Sequence, residues 1–126
     1  MNVADRMSRG LLTTEPETSL REAAQRMVER RVGSIVIVER DRLVGILTER
    51  DVLGVFARGE FEARVSDVMT RHPETVSPDE TLAQARLVML HGGFRHLPVV
   101  EGAKLVGMLS MRDLFTAGED EAPRGV

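Results

Sequence analysis

The chain of 126 residues contains no cysteine, no tryptophan and no tyrosine, and only four phenylalanines. The absence of cysteine excludes disulfides, thiol nucleophiles and thiolate metal sites. The net charge of −3 and the scarcity of aromatic rings argue against a nucleic-acid partner, which requires a basic surface and stacking side chains. No apolar run approaches the roughly 20 residues that span a bilayer, and the N-terminus shows no apolar signal core. We therefore expect a cytoplasmic protein without membrane or nucleic-acid partners.

Patterns of catalysis and metal binding are also missing. His72, His91 and His96 lack the i,i+4 or Cys/His clustering of a metal site. The sequence has neither a Ser/His/Asp order nor a dense carboxylate pair that would indicate catalysis, and its acidic residues are scattered along the chain. The sequence therefore predicts neither an enzyme nor a metal site.

The sequence contains an internal repeat. The run Val-Gly-Ile-Leu-Thr-Glu-Arg-Asp at 44–51 returns as Val-Gly-Met-Leu-Ser-Met-Arg-Asp at 106–113, a shift of 62 positions. With that shift and no gap, 17 of the 51 positions from 3 to 53 are identical. Because about 60 residues bury too little apolar surface for comfortable stability alone, we expect the two copies to form one compact module. The predicted organisation is a first repeat (1–57), a linker (58–64), a second repeat (65–116) and a flexible acidic tail (117–126).

Both copies show the same order of predicted elements. After an opening helix and a brief first strand, Ser19 with Glu22, and Thr81 with Gln84, have the spacing of capping boxes at helix starts. The helices that follow carry apolar stripes at helical spacing, namely Leu20, Ala23, Ala24, Met27 and Val28, and Leu82, Ala85, Met89 and Leu90. Gly33 and Gly92–Gly93 are predicted to end these helices, and two short strands then lead to a final helix. We predict an α/β (α+β) fold of two β-α-β-β-α repeats with pseudo-two-fold symmetry.

The segment that can carry chemistry is the turn from the last strand into the final helix of each copy. Thr48-Glu-Arg-Asp51 returns there as Ser110-Met-Arg-Asp113. A helix start suits an anionic oxygen, and a carboxylate three residues on can accept hydrogen bonds from two ribose hydroxyls. The same spacing is also a capping box that any helix can use, so both interpretations stay open. Gly45 and Gly107, three residues earlier, allow a ligand or another backbone segment to come close.

With these segments in order, the chain resembles a tandem pair of CBS domains, the modules named from cystathionine β-synthase, over about residues 3–116. The resemblance rests on Val-x-Asp-x-Met at 3–7 and 65–69, Thr-x-x-Pro at 13–16 and 75–78, Arg-His-Leu-Pro-Val-Val at 95–100, and the two Gly-x-x-Thr/Ser-x-x-Asp segments. It implies a stand-alone regulatory module that senses AMP, ADP or ATP, with or without Mg²⁺, and that has no catalytic cofactor. S-adenosylmethionine and NAD-type ligands are alternatives within the same family.

The resemblance also implies two ligand clefts, each combining residues of both repeats. The first would use Thr48, Arg50, Asp51, Thr75, Val76, Arg95, His96, Leu97 and Pro98. The second would use Thr13, Thr14, Pro16, Gly33, Ser34, Ile35, Ser110, Arg112 and Asp113. The aspartates would hold the ribose, and apolar strand residues would enclose the base. Because only the first group has a guanidinium and an imidazole at the start of its strand, we expect phosphorylated nucleotide to prefer it.

A protein-interaction module without a small-molecule ligand is the alternative function. CBS pairs commonly dimerise through their helices, so a homodimer is expected beside any regulated partner, whose identity the sequence does not give. The candidate faces carry Val3, Met7, Val65, Met69, Val52, Leu53, Val55, Phe56, Leu114 and Phe115.

Overall fold

The computed structural model describes residues 1–115. They fall into two compact units. The first, termed here the continuous unit, is Leu11–Pro73, and the second, the split unit, joins Met1–Gly10 to the described residues from Glu74 onward. The predicted acidic tail at 117–126 lies outside the described residues.

Both units combine helices and strands, which confirms the mixed α+β class predicted from the sequence. The elements of the continuous unit are β1 (Thr13–Thr14), α1 (Leu20–Arg30), β2 (Ser34–Glu39), β3 (Arg42–Thr48), α2 (Glu49–Arg58), α3 (Val65–Val68) and β4 (Thr70–Arg71). Those of the split unit are a 3₁₀ turn (Val3–Asp5), α4 (Leu82–Gly92), β5 (His96–Glu101), β6 (Lys104–Ser110) and a helical segment at 111–115.

The continuous unit is built around the β2–β3 hairpin. Strand β1 adds parallel to β2, and β4 adds antiparallel to β3. The hairpin turn places Arg40 and Asp41 at positive φ, as a tight turn between twisted strands requires. The buried side chains of this core are Leu20, Ala23, Met27, Ile35, Ile37, Leu47, Val55, Val65 and Met69. This packing fixes the end of β3, where the candidate motif begins.

In the split unit β5 and β6 form the matching antiparallel hairpin. Its first predicted strand is reduced to one parallel bridge between Val76 and Val99. In the continuous unit, the Val36 amide donates to the Leu12 carbonyl at 3.1 Å. Pro98 occupies the position that corresponds to Val36 and has no amide hydrogen. The bond that would extend the strand therefore cannot form.

Each long helix turns a narrower stripe toward its core than predicted. Leu20, Ala23 and Met27 of α1 are buried, but the Val28 side chain is 77% exposed. Because successive helical residues are about 100° apart, Val28 lies roughly 100° from the centre of the stripe that the three buried residues form. Leu90, the matching residue of α4, is 62% exposed. The predicted burial of Val28 and Leu90 is therefore wrong.

The ends of the long helices also differ from the prediction. The C-cap of α1 is Arg31, at φ 54° and ψ 45°, and its amide donates to the carbonyls of Met27 and Val28. Gly93 takes the matching position after α4, at φ 70°. The prediction that Gly33 ends the first helix is wrong, because Arg31 closes it earlier in a conformation that favours glycine.

The predicted N-terminal caps are present, one of them only in part. The Gln84 amide donates to the Thr81 hydroxyl at 3.1 Å, and the Thr81 amide donates to Gln84 Oε1 at 2.8 Å. At α1, the Glu22 amide donates to the Ser19 hydroxyl at 3.1 Å. Within the described part of the chain, the Glu22 side chain accepts no reciprocal bond from Ser19.

The compact units divide the chain differently from the sequence repeats. The opening segment of the first copy lies in the split unit, where the Val3 amide donates to the Glu80 carbonyl at 2.8 Å. The opening segment of the second copy lies in the continuous unit, where the Val65 amide donates to the Thr18 carbonyl at 2.9 Å. Val3 and Val65 are both fully buried. Each opening segment thus completes a core whose other residues come mainly from the other copy.

Candidate ligand-binding site

The Thr48–Asp51 turn joins β3 to α2 through a closed set of hydrogen bonds. The Thr48 amide donates to Asp51 Oδ2 at 2.9 Å, and the Thr48 hydroxyl donates to the same oxygen at 3.1 Å. The Asp51 amide donates to Thr48 Oγ1 at 3.4 Å. This turn is therefore a capping box, which is one of the two interpretations that the sequence left open.

The second copy repeats two of these three hydrogen bonds at the end of β6. The Ser110 amide donates to Asp113 Oδ2 at 2.7 Å, and the Ser110 hydroxyl donates to the same oxygen at 3.1 Å. Asp51 and Asp113 are both half-buried. Two partly desolvated carboxylates therefore occupy equivalent helix starts, one in each unit.

Capping occupies only one oxygen of each carboxylate. Neither Asp51 Oδ1 nor Asp113 Oδ1 accepts a hydrogen bond from residues 1–115. A carboxylate oxygen can accept more than one hydrogen bond, so each Oδ1 is left for the hydroxyl of a bound molecule. The hydroxyls of Thr48 and Ser110 point their protons at the carboxylates, and each must rotate before it can donate to a phosphate. Capping and ligand binding are thus compatible at the aspartates.

The two motif glycines are in contact with the chain itself. A Cβ on Gly45 would lie 2.6 Å from the Met69 sulfur and 2.9 Å from the Thr70 carbonyl oxygen. A Cβ on Gly107 would lie 2.5 Å from the Met7 sulfur. Of the two reasons predicted for these glycines, the close approach of another chain segment is the one that the structure supports.

In the continuous unit, the start of β2 lies beside the Thr48 cap. Ser34 is the antiparallel partner of Thr48. The Glu49 amide donates to the Gly33 carbonyl at 3.0 Å. The Ser34 side chain is buried, and Gly33 is half-buried. Gly33, Ser34, Thr48 and Asp51 therefore form one local group.

The split unit has the same arrangement with different side chains. His96 is the antiparallel partner of Ser110, and the Met111 amide donates to the Arg95 carbonyl at 2.8 Å. Arg95 is exposed, and His96 is half-buried. The cationic strand start thus lies beside the Ser110 cap.

The predicted clefts and the observed local groups differ in how they combine residues. Each predicted cleft joins residues that belong to different units, whereas the local groups described above form within a unit. The predicted combination across the two copies stays a prediction.

Three predicted contact residues are part of the hydrophobic cores. Ile35 and Leu97 are fully buried, and Val76 is 2% exposed. Their side chains pack in the core of their own unit, so a ligand contact at these three positions would be made by backbone atoms. Pro98 is also buried.

The remaining predicted residues lie nearer the surface. Thr75 and Pro16 are half-buried, whereas Arg50 and Arg112 are exposed. Within residues 1–115, no three His, Asp or Glu side chains come together as a metal site would need. None of the helices in that range combines the length and apolarity that crossing a bilayer requires.

Arg26 is a candidate residue that the sequence reasoning missed. Its guanidinium donates from Nη1 to Thr14 Oγ1 at 3.2 Å and from Nη2 to the Thr13 carbonyl at 3.0 Å. Both threonines were predicted as ligand contacts, and Thr14 is 5% exposed. A signal was present in the repeat, because the second copy has Val88 at the position of Arg26 and Val76 at the position of Thr14.

Comparison with known proteins places these features in a family. The CBS-domain family model matches the chain twice, at residues 3–58 and 65–120. An uncharacterized 17.7 kDa protein of Acidianus ambivalens is 37% identical over 105 residues, which are 82% of this chain and 64% of that protein. The CBS domain-containing protein YhcV of Bacillus subtilis is 35% identical over 115 residues, which are 90% of this chain and 82% of YhcV.

Solved structures show the same fold. A putative signal-transduction protein with CBS domains from Burkholderia ambifaria is 27% identical, with a TM-score of 0.92 and coverage of 100% of this chain and 99% of that one. CBSX2 in complex with AMP is 28% identical, with a TM-score of 0.87 over 95% of this chain and 97% of that one. The CBS domain pair of MJ0100, in complex with 5′-methylthioadenosine and S-adenosyl-L-methionine, is 25% identical, with a TM-score of 0.87 over 94% and 99%.

Some relatives are much longer than this chain. The matched region is 33% of a 33.4 kDa protein of Thermofilum pendens. It is 22% of the inosine-5′-monophosphate dehydrogenase of Korarchaeum cryptofilum, at 37% identity over 108 residues. The chain therefore spans less than two thirds of several relatives that it matches, the Acidianus ambivalens protein included.

Proposed function

The chain belongs to the CBS-domain family, and from that premise we propose that it is a regulatory module that binds adenosine-containing nucleotides. AMP, ADP and ATP are the proposed ligands, and the complexes of CBSX2 with AMP and of MJ0100 with S-adenosyl-L-methionine support this chemical class. The module is proposed to act in the cytoplasm without catalysing a reaction. Because a ligand shifts a conformational equilibrium only through its different affinities for the two states, nucleotide occupancy is the signal that a partner would read.

The observation that supports the proposal most is that the carboxylates of Asp51 and Asp113 each use only one oxygen in the helix cap. Asp5 and Asp67 also accept a backbone amide as helix caps, at 2.8 and 2.9 Å, but both are exposed to solvent. Asp51 and Asp113 are half-buried, so water satisfies their second oxygen less well. The second oxygen of each carboxylate still meets solvent, so a ribose hydroxyl would exchange water for a charge-assisted hydrogen bond at a partly desolvated site.

The cationic strand start of the split unit is suited to the phosphate of such a ligand. Arg95 is exposed, and its backbone carbonyl accepts from the residue that follows Ser110. A guanidinium donates two parallel hydrogen bonds to phosphate oxygens, which gives both charge and geometry. Arg95 and His96 are therefore proposed as phosphate contacts, and an accompanying Mg²⁺ stays a prediction.

A role in protein interaction is the second candidate, and specific exposed side chains favour it. Leu53 and Phe56 of α2 are 67% and 69% exposed, and Phe115 is 68% exposed. Exposed large apolar side chains are typical of interaction surfaces, and a second copy of this chain is the proposed occupant. The predicted faces also included buried residues, which do not belong to such a surface, namely Val3, Val55, Val65, Met69 and Leu114.

The absorption spectrum separates the two candidates. With no tryptophan or tyrosine, the chain absorbs weakly in the near ultraviolet, so a bound purine dominates the spectrum of the purified protein. We expect a purine band, and we expect mass spectrometry of an acid extract to identify an adenine nucleotide. A spectrum without that band, together with no thermal shift from AMP, ADP, ATP or S-adenosylmethionine, would contradict the proposal and favour the interaction role.

The variant Asp51→Asn tests the site itself. Asparagine still accepts from the Thr48 amide, but it offers the ribose a neutral acceptor in place of a carboxylate. We expect titration calorimetry to show an affinity for AMP that is about tenfold lower, because charged acceptors form stronger hydrogen bonds.

The matched control for this variant is Asp67→Asn. Asp67 Oδ2 accepts from the Arg64 amide at 2.9 Å, so the substitution alters the same kind of cap on an exposed turn. We expect its affinity for AMP to equal that of the unmodified protein. Equal affinities for AMP in Asp51→Asn and Asp67→Asn would mean that Asp51 acts as a cap only.

A further inference from the structure

The edge of the continuous unit holds a guanidinium in an unusual setting. Arg26, on α1, is half-buried and forms two hydrogen bonds, to Thr14 Oγ1 and to the Thr13 carbonyl. Both acceptors are neutral oxygens. Within residues 1–115, no carboxylate forms an ion pair with Arg26. A positive charge that is partly removed from water is thus held against the β1 strand, and no carboxylate of the described residues lies within ion-pair distance of it.

A charge in this position favours an anionic partner. A guanidinium carries five N–H donors, and Arg26 uses two of them here. Partial burial strengthens the attraction of its charge for an anion, because solvent screens it less than at an exposed site. This setting therefore suits an acidic group of a bound molecule.

A chain of hydroxyl groups adds a second kind of donor. Because Arg26 can only donate, the Thr14 oxygen accepts from it, and the Thr14 hydroxyl donates in turn to Thr18 Oγ1 at 2.8 Å. The Thr18 hydroxyl has no acceptor among residues 1–115. Hydrogen bonds in series polarise one another, so the chain makes the Thr18 proton a better donor. Arg26 and Thr18 together offer charge and a polarised hydroxyl.

The split unit shows that the fold does not need this group. Val88, Val76 and Glu80 stand at the positions of Arg26, Thr14 and Thr18. Val76 is buried in the core of its unit, and Val88 packs against that core. At the equivalent position of the split unit, apolar side chains pack together instead. Of the two units, only the continuous one has the polar group of Arg26, Thr14 and Thr18.

We propose that Arg26, supported by Thr18, binds the phosphate of an adenosine nucleotide that occupies the Thr13–Thr14 side of the continuous unit. This inference rests on the proposed function and extends it. The predicted contact group that contains Gly33 and Ser34 has no cation at its strand start, and Arg26 of α1 would supply one. Each unit would thus contact phosphate, through Arg95 and His96 at the strand start in the split unit and through Arg26 of the helix in the continuous unit.

Two variants test the proposal. Arg26→Met removes the charge and keeps most of the side-chain length. The double variant Thr14→Val with Arg26→Val copies the apolar solution of the split unit, so it removes the charge while it restores packing. Arg30→Met is the matched control, because it removes an exposed charge from the same helix.

The readout is titration calorimetry of the full chain with ATP, AMP and adenosine. In both test variants, we expect one class of sites to bind AMP and ATP about tenfold more weakly, as the loss of a charge-assisted bond implies. Arg26→Met should bind adenosine, which lacks phosphate, with unchanged affinity, and Arg30→Met should match the unmodified protein throughout. A selective loss of phosphorylated ligands is a result that a structural role for Arg26 cannot give.

Other outcomes would overturn the proposal. If the folded double variant binds AMP as tightly as the unmodified protein, Arg26 serves only to hold Thr13 and Thr14. An equal loss of AMP and adenosine binding in Arg26→Met would lead to the same conclusion. If the unmodified protein binds no adenosine compound at all, the proposed function fails, and this inference fails with it.

Discussion

At Gly45, the space of the missing side chain is filled by the Met69 sulfur and by a backbone carbonyl. Gly45→Ala forces these groups apart, and we expect it to lower the free energy of unfolding by about 1–3 kcal/mol, as overpacking of a core does. Urea denaturation measures this change. Gly10→Ala is the control, because no heavy atom lies within 4 Å of the added Cβ. A Gly45→Ala variant as stable as Gly10→Ala would show that the space is open.

Single residues near the candidate site were predictable to different degrees. The spacing of Thr48 and Asp51 predicted a cap and a candidate ribose contact, and the cap is observed. The contact of Gly45 with Met69 joins residues 24 positions apart, and local spacing carries no information about such a contact. The sequence did not identify Arg26, because helical periodicity reveals only apolar stripes. A polar residue at the edge of such a stripe leaves the spacing of the apolar residues unchanged.

Arg31 ends helix α1 in the left-handed conformation, which side chains with a Cβ rarely adopt. Arg31→Gly relieves that strain, and the second copy already has Gly93 at this position, with φ 70°. We expect the substitution to raise the free energy of unfolding by roughly 0.5–1 kcal/mol. Thermal and urea unfolding would both show the increase.

The neighbouring residue provides the control for this prediction. Arg30 is the last residue within α1, so glycine there weakens the helix by about 1 kcal/mol relative to a good helix former. Opposite signs for Arg31→Gly and Arg30→Gly are expected. A loss of stability in both variants would mean that the Arg31 side chain contributes more than its backbone strain costs.

Helices and strands were predictable where a period or a cap marks them. The Ser19 and Thr81 caps lie at the predicted helix starts, and the Leu20, Ala23, Met27 stripe is buried. A first strand is predicted for the second copy, but the structure has only a single bridge there. The pairing depends on Pro98, which belongs to another strand. Element ends therefore follow from partners that are distant in sequence, whereas element cores follow from local pattern.

For the whole molecule, the repeat predicted the family and the order of elements, but not how the chain divides into compact units. Val3 and Val65 are identical residues at equivalent positions, so the sequence cannot show which copy each one completes. The structure places the 1–10 segment in the split unit. The two predicted clefts depend on this kind of long-range pairing, and for that reason the sequence defines their residues better than their geometry.

Local stability can test the division of the chain into units. Val3 is fully buried with the α4, β5 and β6 residues Met89, Leu97 and Leu109. Val3→Ala leaves a cavity that costs roughly 2 kcal/mol. Although Val3 is nearly 80 positions before α4, we expect hydrogen exchange to accelerate most in α4, β5 and β6, since amides exchange through openings of the unit that is weakened.

The matched variant is Val65→Ala, which removes the same group from the core of the continuous unit, where Val65 is buried with Leu20, Ile35 and Leu47. Exchange should then accelerate most in α1, β2 and β3, although these elements belong to the other sequence repeat. The two variants have the same chemistry and burial, so the difference between their exchange maps reports only where each opening segment packs. If Val3→Ala accelerated exchange mainly in α1, β2 and β3, the first opening segment would stabilise its own copy, and the split unit would not be a unit of stability.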